Sequence, residues 1–232
     1  MSVSTDALKM SKHTTSLLKN FSSLNSNLLI KPGNIINTIT PAKNVVAQAT
    51  IEENFDTEIG IWDLNKFLGT VSLFDDPEFY FGEKSVVIKG SNDAKVNYFY
   101  SEPKLLTTLD REIKLPEVAI KFDLDESSFS ELQRVSSVLQ LPDLCIRSND
   151  NGEIEMIALD KKSPTTNSYS IVIGDNDTSA SFEYYIKIAN MMLMPGSYSV
   201  SVCKSVVSMF NHQDFDLVYY IALESDSKFS EE

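Results

Sequence analysis

Hydrophobic residues near the start of the chain recur first at a helical spacing and then in short strand-like runs. Apolar positions occur at i, i+1, i+4 and i+7, and polar residues occupy the opposite face of the same helix. The apolar set is Leu17, Leu18, Phe21 and Leu24, and the polar set is Lys12, Ser16, Lys19 and Ser23. An apolar run at 28–30, a Lys-Pro-Gly-Asn sequence at 31–34 and an apolar pair at 35–36 follow. The pattern predicts a helix, a strand, a turn and a second strand.

The same order returns in the second half of the chain. Ser128 and Glu131 have the spacing of a capping box, which satisfies the first N–H groups of a helix. An apolar stripe follows them, formed by Leu132, Val135, Val138 and Leu139. After it come an apolar run at 144–147 and an Asn/Gly-containing turn at 149–152. We therefore expect a second helix that leads into a strand and a turn.

A further pair of segments also matches between the halves. Phe55, Ile59 and Ile61 alternate as one face of a strand, and Asp63 is placed to cap a helix that begins at Leu64. The same spacings recur in Phe182, Ile186, Ile188, Asn190 and Met191, which predicts a fourth helix over 191–194. Short β-like runs follow, at 86–88 in the first half and at 198–202 and 217–223 in the second. Two matched pairs in the same order indicate an internal duplication.

The duplicated pattern predicts an α+β fold in which helices lie on one face of antiparallel sheet. We expect two similar domains with two helices each, 1–102 and 117–232, and an interdomain connector at 103–116. The connector mixes apolar and charged residues between two prolines, so it is expected to pack over an apolar area of the protein surface. An edge strand explains its composition nearly as well. Residues 1–9 resemble an N-terminal extension.

The charge balance limits how the protein can use nucleic acid. The chain has 20 basic and 33 acidic residues, a net charge of −13, which disfavours tight binding by bulk attraction to phosphates. Any DNA contact is expected to be local or topological. Without a long apolar run or a signal sequence, the chain is expected to be soluble and cytoplasmic.

No arrangement typical of an enzyme or a cofactor site is present in the sequence. The two cysteines and two histidines are isolated from one another, which predicts neither a metal site nor a dithiol. There is no phosphate-binding glycine loop and no nucleophile elbow, and the acidic residues lack an acid/base spacing. The Gly-Asp-Asn-Asp sequence at 174–177 lacks the spacing of a calcium loop and predicts a turn. We expect no enzyme and no cofactor, and a virion tube or baseplate protein remains an alternative.

Several segments, in order, resemble one family, the sliding clamps of T-even and related bacteriophages. They are SKHTTSLLKNF at 11–21, DLNKFLG at 63–69, LQRVS at 132–136, ANM at 189–191 with PG at 195–196, and ALE at 222–224. The resemblance spans nearly the whole chain. It implies a DNA-clamp fold and a homotrimeric ring with helices lining the hole, through which duplex DNA passes. Heterologous contacts that close by rotation would form such a ring.

The resemblance gives the basic residues on the predicted helices a role toward DNA. We expect the DNA-facing residues to be Lys9, Lys12, Lys19, Lys66 and Arg134. The sequence departs from the family pattern where Ser137 stands in place of a second basic residue. The predicted fourth helix, 191–194, also carries no positive charge. The second domain is therefore expected to contact DNA at fewer points than the first.

The resemblance further implies an apolar pocket for tail peptides of the replicative DNA polymerase and other partners. An exposed apolar patch with a charged rim is typical of peptide docking. The candidate residues are Leu106, Ile113, Leu115, Ala222 and Leu223, with ordinary core and edge packing as the alternative. Other implied partners are an ATP-dependent clamp loader and late-transcription factors. The expected location is the cytoplasm of the infected bacterial host.

Overall fold

A computed structural model describes residues 7–91, 94–109, 113–163, 165–178 and 180–231. The chain divides into two compact units, 1–111 and 112–232. Most of the predicted N-terminal extension and residues 110–112 of the predicted connector lie outside the described residues. The predicted bounds of the extension, the connector and the domains stay predictions.

Among its described residues, the first unit contains two α-helices and seven short to medium strands. Its elements are α1 (Lys12–Leu24), β1 (Leu28–Ile30), β2 (Gly33–Ile39), β3 (Val45–Phe55), β4 (Ile59–Ile61), α2 (Leu64–Val71), β5 (Glu78–Phe81), β6 (Ser85–Lys89) and β7 (Lys95–Phe99). A 3-10 turn at Pro103–Leu105 follows. All strand pairs within the unit are antiparallel: β1 with β4, β2 with β3, and β5, β6 and β7 in that order.

The helix α1 forms where the apolar spacing predicts it. Leu17, Leu18, Phe21 and Leu24 are buried, and the helix packs against β2, β3 and α2. At its start, the Ser11 hydroxyl accepts the N–H of Thr14 at 3.1 Å, which satisfies one of the unpaired N–H groups of the first turn. The predicted first helix is confirmed.

The helix α2 begins at the predicted cap. Asp63 Oδ1 accepts the N–H of Lys66 at 2.8 Å, and Leu64, Phe67 and Val71 are buried. The strand predicted before it is instead two strands, because β3 ends at Phe55 and Ile59 starts β4. All three predicted positions are buried, but they belong to separate ladders.

The second unit contains one α-helix and nine strands among its described residues. Its elements are β8 (Val118–Leu124), α3 (Glu126–Leu139), β9 (Asp143–Ser148), β10 (Glu153–Leu159), β11 (Tyr169–Asp175), β12 (Ser181–Lys187), β13 (Tyr198–Cys203), β14 (Val207–His212), β15 (Leu217–Ala222) and β16 (Lys228–Ser230). One ladder runs β11-β10-β9-β12-β16 and another runs β8-β13-β14-β15, all antiparallel. The helix α3 packs on β10 and β11.

The start of α3 and its buried face differ from the prediction. The cap is Asp125, whose Oδ1 accepts the N–H of Ser128 at 3.0 Å, so Ser128 lies inside the helix. Phe129, Leu132 and Ser136 are buried, whereas Val138 is 75% exposed. A helical period that starts at Phe129 returns at Leu132 and Ser136 and carries Val138 to the outer face. The Ser136 hydroxyl donates to the carbonyl of Leu132 at 2.6 Å, so its burial leaves no unpaired group.

The predicted fourth α-helix over 191–194 is wrong. A 3-10 turn occupies Ile188–Asn190, and residues 191–194 are irregular. Pro195 follows at once, and a residue before proline avoids the α region, so too few residues remain for a helical turn. The fold class is nevertheless confirmed: the chain is α+β, with three α-helices in the described residues and antiparallel sheets. None of the described helices is long and apolar enough to cross a membrane.

Candidate functional site

Exposed lysines occupy the outer faces of the two helices in the first unit. Lys12 and Lys19 are exposed on α1, opposite its buried leucines, and Lys66 is exposed on α2. Because α1 and α2 pack against each other, the three lysines belong to one helical layer. Such a layer concentrates positive charge on a protein whose total charge is strongly negative.

Lys9 lies just before α1 and is already engaged with an acidic group. Its ammonium forms an ion pair with Asp76, both side chains being exposed. The hydrogen bond to Asp76 raises the pKa of Lys9 above its ordinary value of 10.5. Its charge is therefore partly offset locally, which distinguishes it from the three helix lysines.

The outer face of α3 carries one candidate cation. Arg134 is exposed, and its guanidinium lies 3.9 Å from the Glu131 carboxylate one helical turn away. Ser137 is also exposed, so the position expected to be basic in the family does face outward but bears no charge. The irregular segment 191–194 that replaces the predicted helix also contributes no cation.

The residues predicted for a peptide pocket fall in different units and differ in exposure. Leu106 is buried in the first unit, while Ile113, Ala222 and Leu223 are partly exposed and Leu115 is exposed in the second. Backbone hydrogen bonds hold the segment that follows β15 in place. The Leu223 N–H donates to the Val206 carbonyl at 2.9 Å, and the Glu224 N–H donates to the Tyr185 carbonyl at 2.8 Å. The pocket itself stays a prediction.

Val206 is a candidate that the sequence did not indicate. It is 64% exposed and has φ of +65°, which is rare for a β-branched residue and costs on the order of 1–3 kcal/mol. Its carbonyl accepts the N–H of Leu223, so it borders a predicted pocket residue. The sequence 205–207 has no glycine or asparagine, and nothing in it signals a left-handed turn.

Two edge strands also carry apolar side chains into solvent. β7 is the outer strand of the β5-β6-β7 sheet and β11 the outer strand of its own sheet. Phe99 on β7 is 70% exposed and Val172 on β11 is 49% exposed. Edge strands have unpaired backbone groups that can pair with another chain. The sequence did not identify these two strands as edges.

The described residues contain no group of three or more His, Cys, Asp or Glu side chains suited to hold a metal ion. Both cysteines are free and buried. Burial raises the pKa of the Cys145 thiol to about 12, so it remains protonated and unreactive near neutral pH. Residues 174–177 lie at the end of β11 and in the loop after it.

Comparisons with known proteins converge on one family. Residues 121–225 match the family model described as gp45 sliding clamp, C terminal, and residues 9–79 match the model for DNA polymerase processivity factors. The chain is 30% identical over 226 residues to the sliding clamp of Enterobacteria phage T4, which covers 95% of this chain and 98% of that one. It is 28% identical to the sliding clamp of Vibrio phage KVP40, over 94% of this chain and 100% of the other.

Solved structures share the fold at much lower sequence identity. PCNA from Thermococcus kodakaraensis aligns with a TM-score of 0.69 at 11% identity, over 94% of this chain and 98% of that one. PCNA of A. fulgidus, solved with the C-terminal region of FEN-1 bound, aligns with a TM-score of 0.68 at 14% identity, over 98% and 100%.

Proposed function

Because the chain belongs to the family of bacteriophage sliding clamps, which are non-enzymatic DNA polymerase processivity factors, we propose that it acts as a homotrimeric ring. Three copies close head to tail around duplex DNA and tether the replicative polymerase to its template. The observation that carries this proposal is the exposed basic layer of α1 and α2 on an otherwise acidic chain.

The basic layer suits a sliding contact better than a gripping one. Duplex DNA has one charge per ~1.7 Å, and a protein with about 6 to 10 tight phosphate contacts binds in a strongly salt-dependent way. Lys12, Lys19 and Lys66, with Arg134 in the second unit, supply a few mobile ammonium and guanidinium groups instead. Their long side chains can move from one DNA phosphate to the next as the ring slides. Lys9 joins this group only when it leaves Asp76.

Closure of the ring explains how an acidic protein stays on DNA. With a net charge of −13, the chain as a whole repels the phosphates, so the association depends on topology and not on affinity. The acidic residues outside the helical layer keep the ring soluble and discourage nonspecific binding elsewhere.

Two of the edge strands, β7 and β11, are the proposed contacts between subunits. They belong to different units, so pairing of β7 in one copy with β11 in the next is a heterologous contact, which forms a ring when its rotation closes. Phe99 and Val172 would then be buried instead of exposed. The pairing also removes two edges that would otherwise promote aggregation.

For partner binding, the proposed contact is the segment 222–223 with Val206, to which Leu106, Ile113 and Leu115 are added from the sequence prediction. Val206 and Leu223 are held together by a backbone hydrogen bond and both expose apolar surface. A tail peptide of the polymerase would dock there. The same proposal includes three further points. An ATP-dependent clamp loader places the ring on DNA, the ring also serves as a mobile platform for late transcription, and the protein resides in the cytoplasm of the infected host.

Solution molar mass tests the ring directly. Light scattering over a range of protein concentrations is expected to give a species of three times the mass of one chain. Addition of the protein to its polymerase on primed DNA should then lengthen the products made per binding event. A monomer at every concentration, or open-ended polymers, would contradict the closed ring, and open-ended polymers would favour a virion tube.

A further inference from the structure

The last described residues of the second unit form a short strand on the edge of a sheet. β16 pairs antiparallel with β12 through three residue pairs, with Phe182 opposite Phe229 and Glu183 opposite Lys228. Within the described part of the chain, β16 borders no other strand. Three residue pairs provide few backbone hydrogen bonds, so side chains must contribute much of the attachment.

Two lysines fasten the tail, residues 225–231, on either side of β16. Lys161 Nζ lies 2.8 Å from Asp226 Oδ1 and 4.8 Å from the centre of the Tyr185 ring. The Tyr185 N–H donates to the Ser227 hydroxyl at 2.9 Å. At the far end, Lys204 forms ion pairs with Glu231 and, at 2.8 Å, with Glu117.

Phe229 supplies an apolar contact between the two lysines. Its ring stacks on Tyr184, with 6.5 Å between centroids and 19° between planes, and Lys204 Nζ lies 5.6 Å from its centre. The neighbours Lys228 and Ser230 are exposed, whereas Phe229 is partly buried. Beside it runs an open groove of about 260 Å³ lined by Val118, Ala119, Lys204, Phe229 and Glu231, among others.

One polar group next to the tail, the hydroxyl of Tyr184, lacks a hydrogen-bond partner in the part of the chain that the structure describes. The Tyr184 hydroxyl is buried and has no hydrogen-bond partner among the described residues. A buried, unpaired hydroxyl is unfavourable, and it gains a partner when water or another group reaches it. The Tyr184 hydroxyl therefore keeps an unused hydrogen-bonding capacity while the tail is attached.

We propose that the edge of β12, together with Lys161, Lys204 and the Tyr184 ring, is a recognition site for an extended acidic peptide, and that the tail is its resident ligand. The matching peptide carries an acidic residue, an aromatic residue three positions later and a second acidic residue two positions after that. A partner segment of this chemistry adds to the sheet in place of β16.

This exchange follows the general mode of strand addition to a sheet edge. Backbone hydrogen bonds to β12 give affinity that does not depend on sequence, while the aromatic contact and the two lysines give selectivity. The sheet survives the exchange because β12 stays paired with β9. A covalently attached tail competes at an effective concentration on the order of millimolar, so the partner binds the full chain more weakly than a tail-free chain.

The test uses a chain that ends at Glu224 and a fluorescent synthetic peptide of residues 225–232. Anisotropy is expected to show saturable binding to the shortened chain and at least tenfold weaker binding to the full chain. A peptide with alanine at position 229 should bind at least tenfold more weakly than the unchanged peptide. Lys204→Gln in the shortened chain should reduce binding by a similar factor, and added salt should weaken it.

No saturable binding to a folded shortened chain, or equal binding of the alanine peptide, would overturn the proposal. Circular dichroism checks the fold of the shortened chain. If it does not fold, the full chain with Phe229→Ala replaces it, and peptide binding must then exceed that of the unchanged chain. Phe215→Ala, an exposed phenylalanine of the same unit, is the matched control and should give no gain. These measurements involve no DNA, so their outcome is separate from that of the ring proposal.

Discussion

Glu53, a carboxylate on β3 that is 8% exposed, ties the start of α1 to the strand below it. It accepts hydrogen bonds from the Ser11 N–H and from the Thr14 hydroxyl at 2.5 Å. Burial by itself would raise the pKa of Glu53, but these hydrogen bonds outweigh it and lower the pKa below its ordinary value of 4.5. The charged form also suits the positive end of the helix.

Replacement of this carboxylate should destabilise the first unit. Glu53→Gln retains the size but loses one acceptor and the charge, and a hydrogen bond to a charged group contributes about 1.5–3 kcal/mol. We expect the free energy of unfolding at pH 7 to fall by about 1–3 kcal/mol in urea titrations. Glu52→Gln, on the exposed neighbouring residue, is the control and should change it little.

The same carboxylate predicts a pH dependence with a definite sign. Its pKa is lower in the folded than in the unfolded chain, so its stabilisation is complete above about pH 4.5 and is lost as the pH falls through the folded value. As the pH falls from about 4.5 through the folded pKa, the difference in unfolding free energy between the unchanged chain and Glu53→Gln should narrow. A constant difference from pH 7 to pH 3 would contradict this assignment.

Residue patterns in the sequence predicted which side chains are exposed better than they predicted which side chains contact each other. The four helix cations are exposed, as the polar faces of the predicted helices indicated. Strand alternation also puts Glu53 on the inner face with Ile51 and Phe55. Its partners are far away in sequence, however, and only the packing of α1 on β3 brings them together. Local pattern contains no information on such contacts.

At the scale of elements, either of two residues, Asp125 or Ser128, could cap the start of α3. The structure assigns the cap to Asp125, and hydrogen bonds from Ser127 and Ser128 lower the pKa of Asp125 to about 2. Asp125→Ala should therefore reduce stability by about 0.5–2 kcal/mol, as loss of an N-cap generally does. Thermal unfolding followed by circular dichroism measures the loss.

Ser128→Ala is the informative comparison for this prediction. If Ser128 were the cap, as the capping-box spacing indicated, its replacement would be the more costly of the two. With Asp125 as the cap, Ser128→Ala loses only a hydroxyl that donates to Asp125 at 2.7 Å. Ser130→Ala, on an exposed residue of the same helix, should not destabilise, since alanine favours helix.

The elements that sequence predicted well are those with a long, regular apolar period. α1 has four buried apolar residues at helical spacing, which the sequence predicted, whereas its cap at Ser11 was identified only by the structure. The fourth helix rested on only four apolar residues, and Pro195 restricts the residue before it. Short apolar runs fit strand, helix and irregular backbone equally, so tertiary packing decides them.

At the scale of the whole molecule, the proposed ring predicts which surface changes should break it. Phe99→Glu on β7 and Val172→Glu on β11 each introduce a charge into the proposed subunit contact. Each variant is expected to give monomers in light scattering without loss of the folded circular dichroism spectrum. Val138→Glu, at an exposed apolar residue outside both edges, should leave the assembly unchanged.

A trimer that survives both edge variants would contradict pairing of β7 with β11 while leaving the family assignment intact. The internal duplication visible in the sequence indicated a repeated architecture, but which strands end a sheet depends on ladder order. That order is set by contacts between distant segments, and only the structure identified β7 and β11 as edges.

The last prediction concerns the exposed cations of the helices and their effect on processive synthesis. Lys12, Lys19, Lys66 and Arg134 changed together to Ala should leave the trimer intact, because none of them lies on β7 or β11. Processive synthesis on primed DNA should fall, and it should depend less on salt than in the unchanged chain, since each lost cation removes about one phosphate contact. The control changes the same amount of charge at exposed lysines outside the helices, Lys31, Lys43, Lys84 and Lys162. An equal loss in both variants would assign the effect to net charge, whereas unchanged processivity in the first would remove the helix cations from the mechanism.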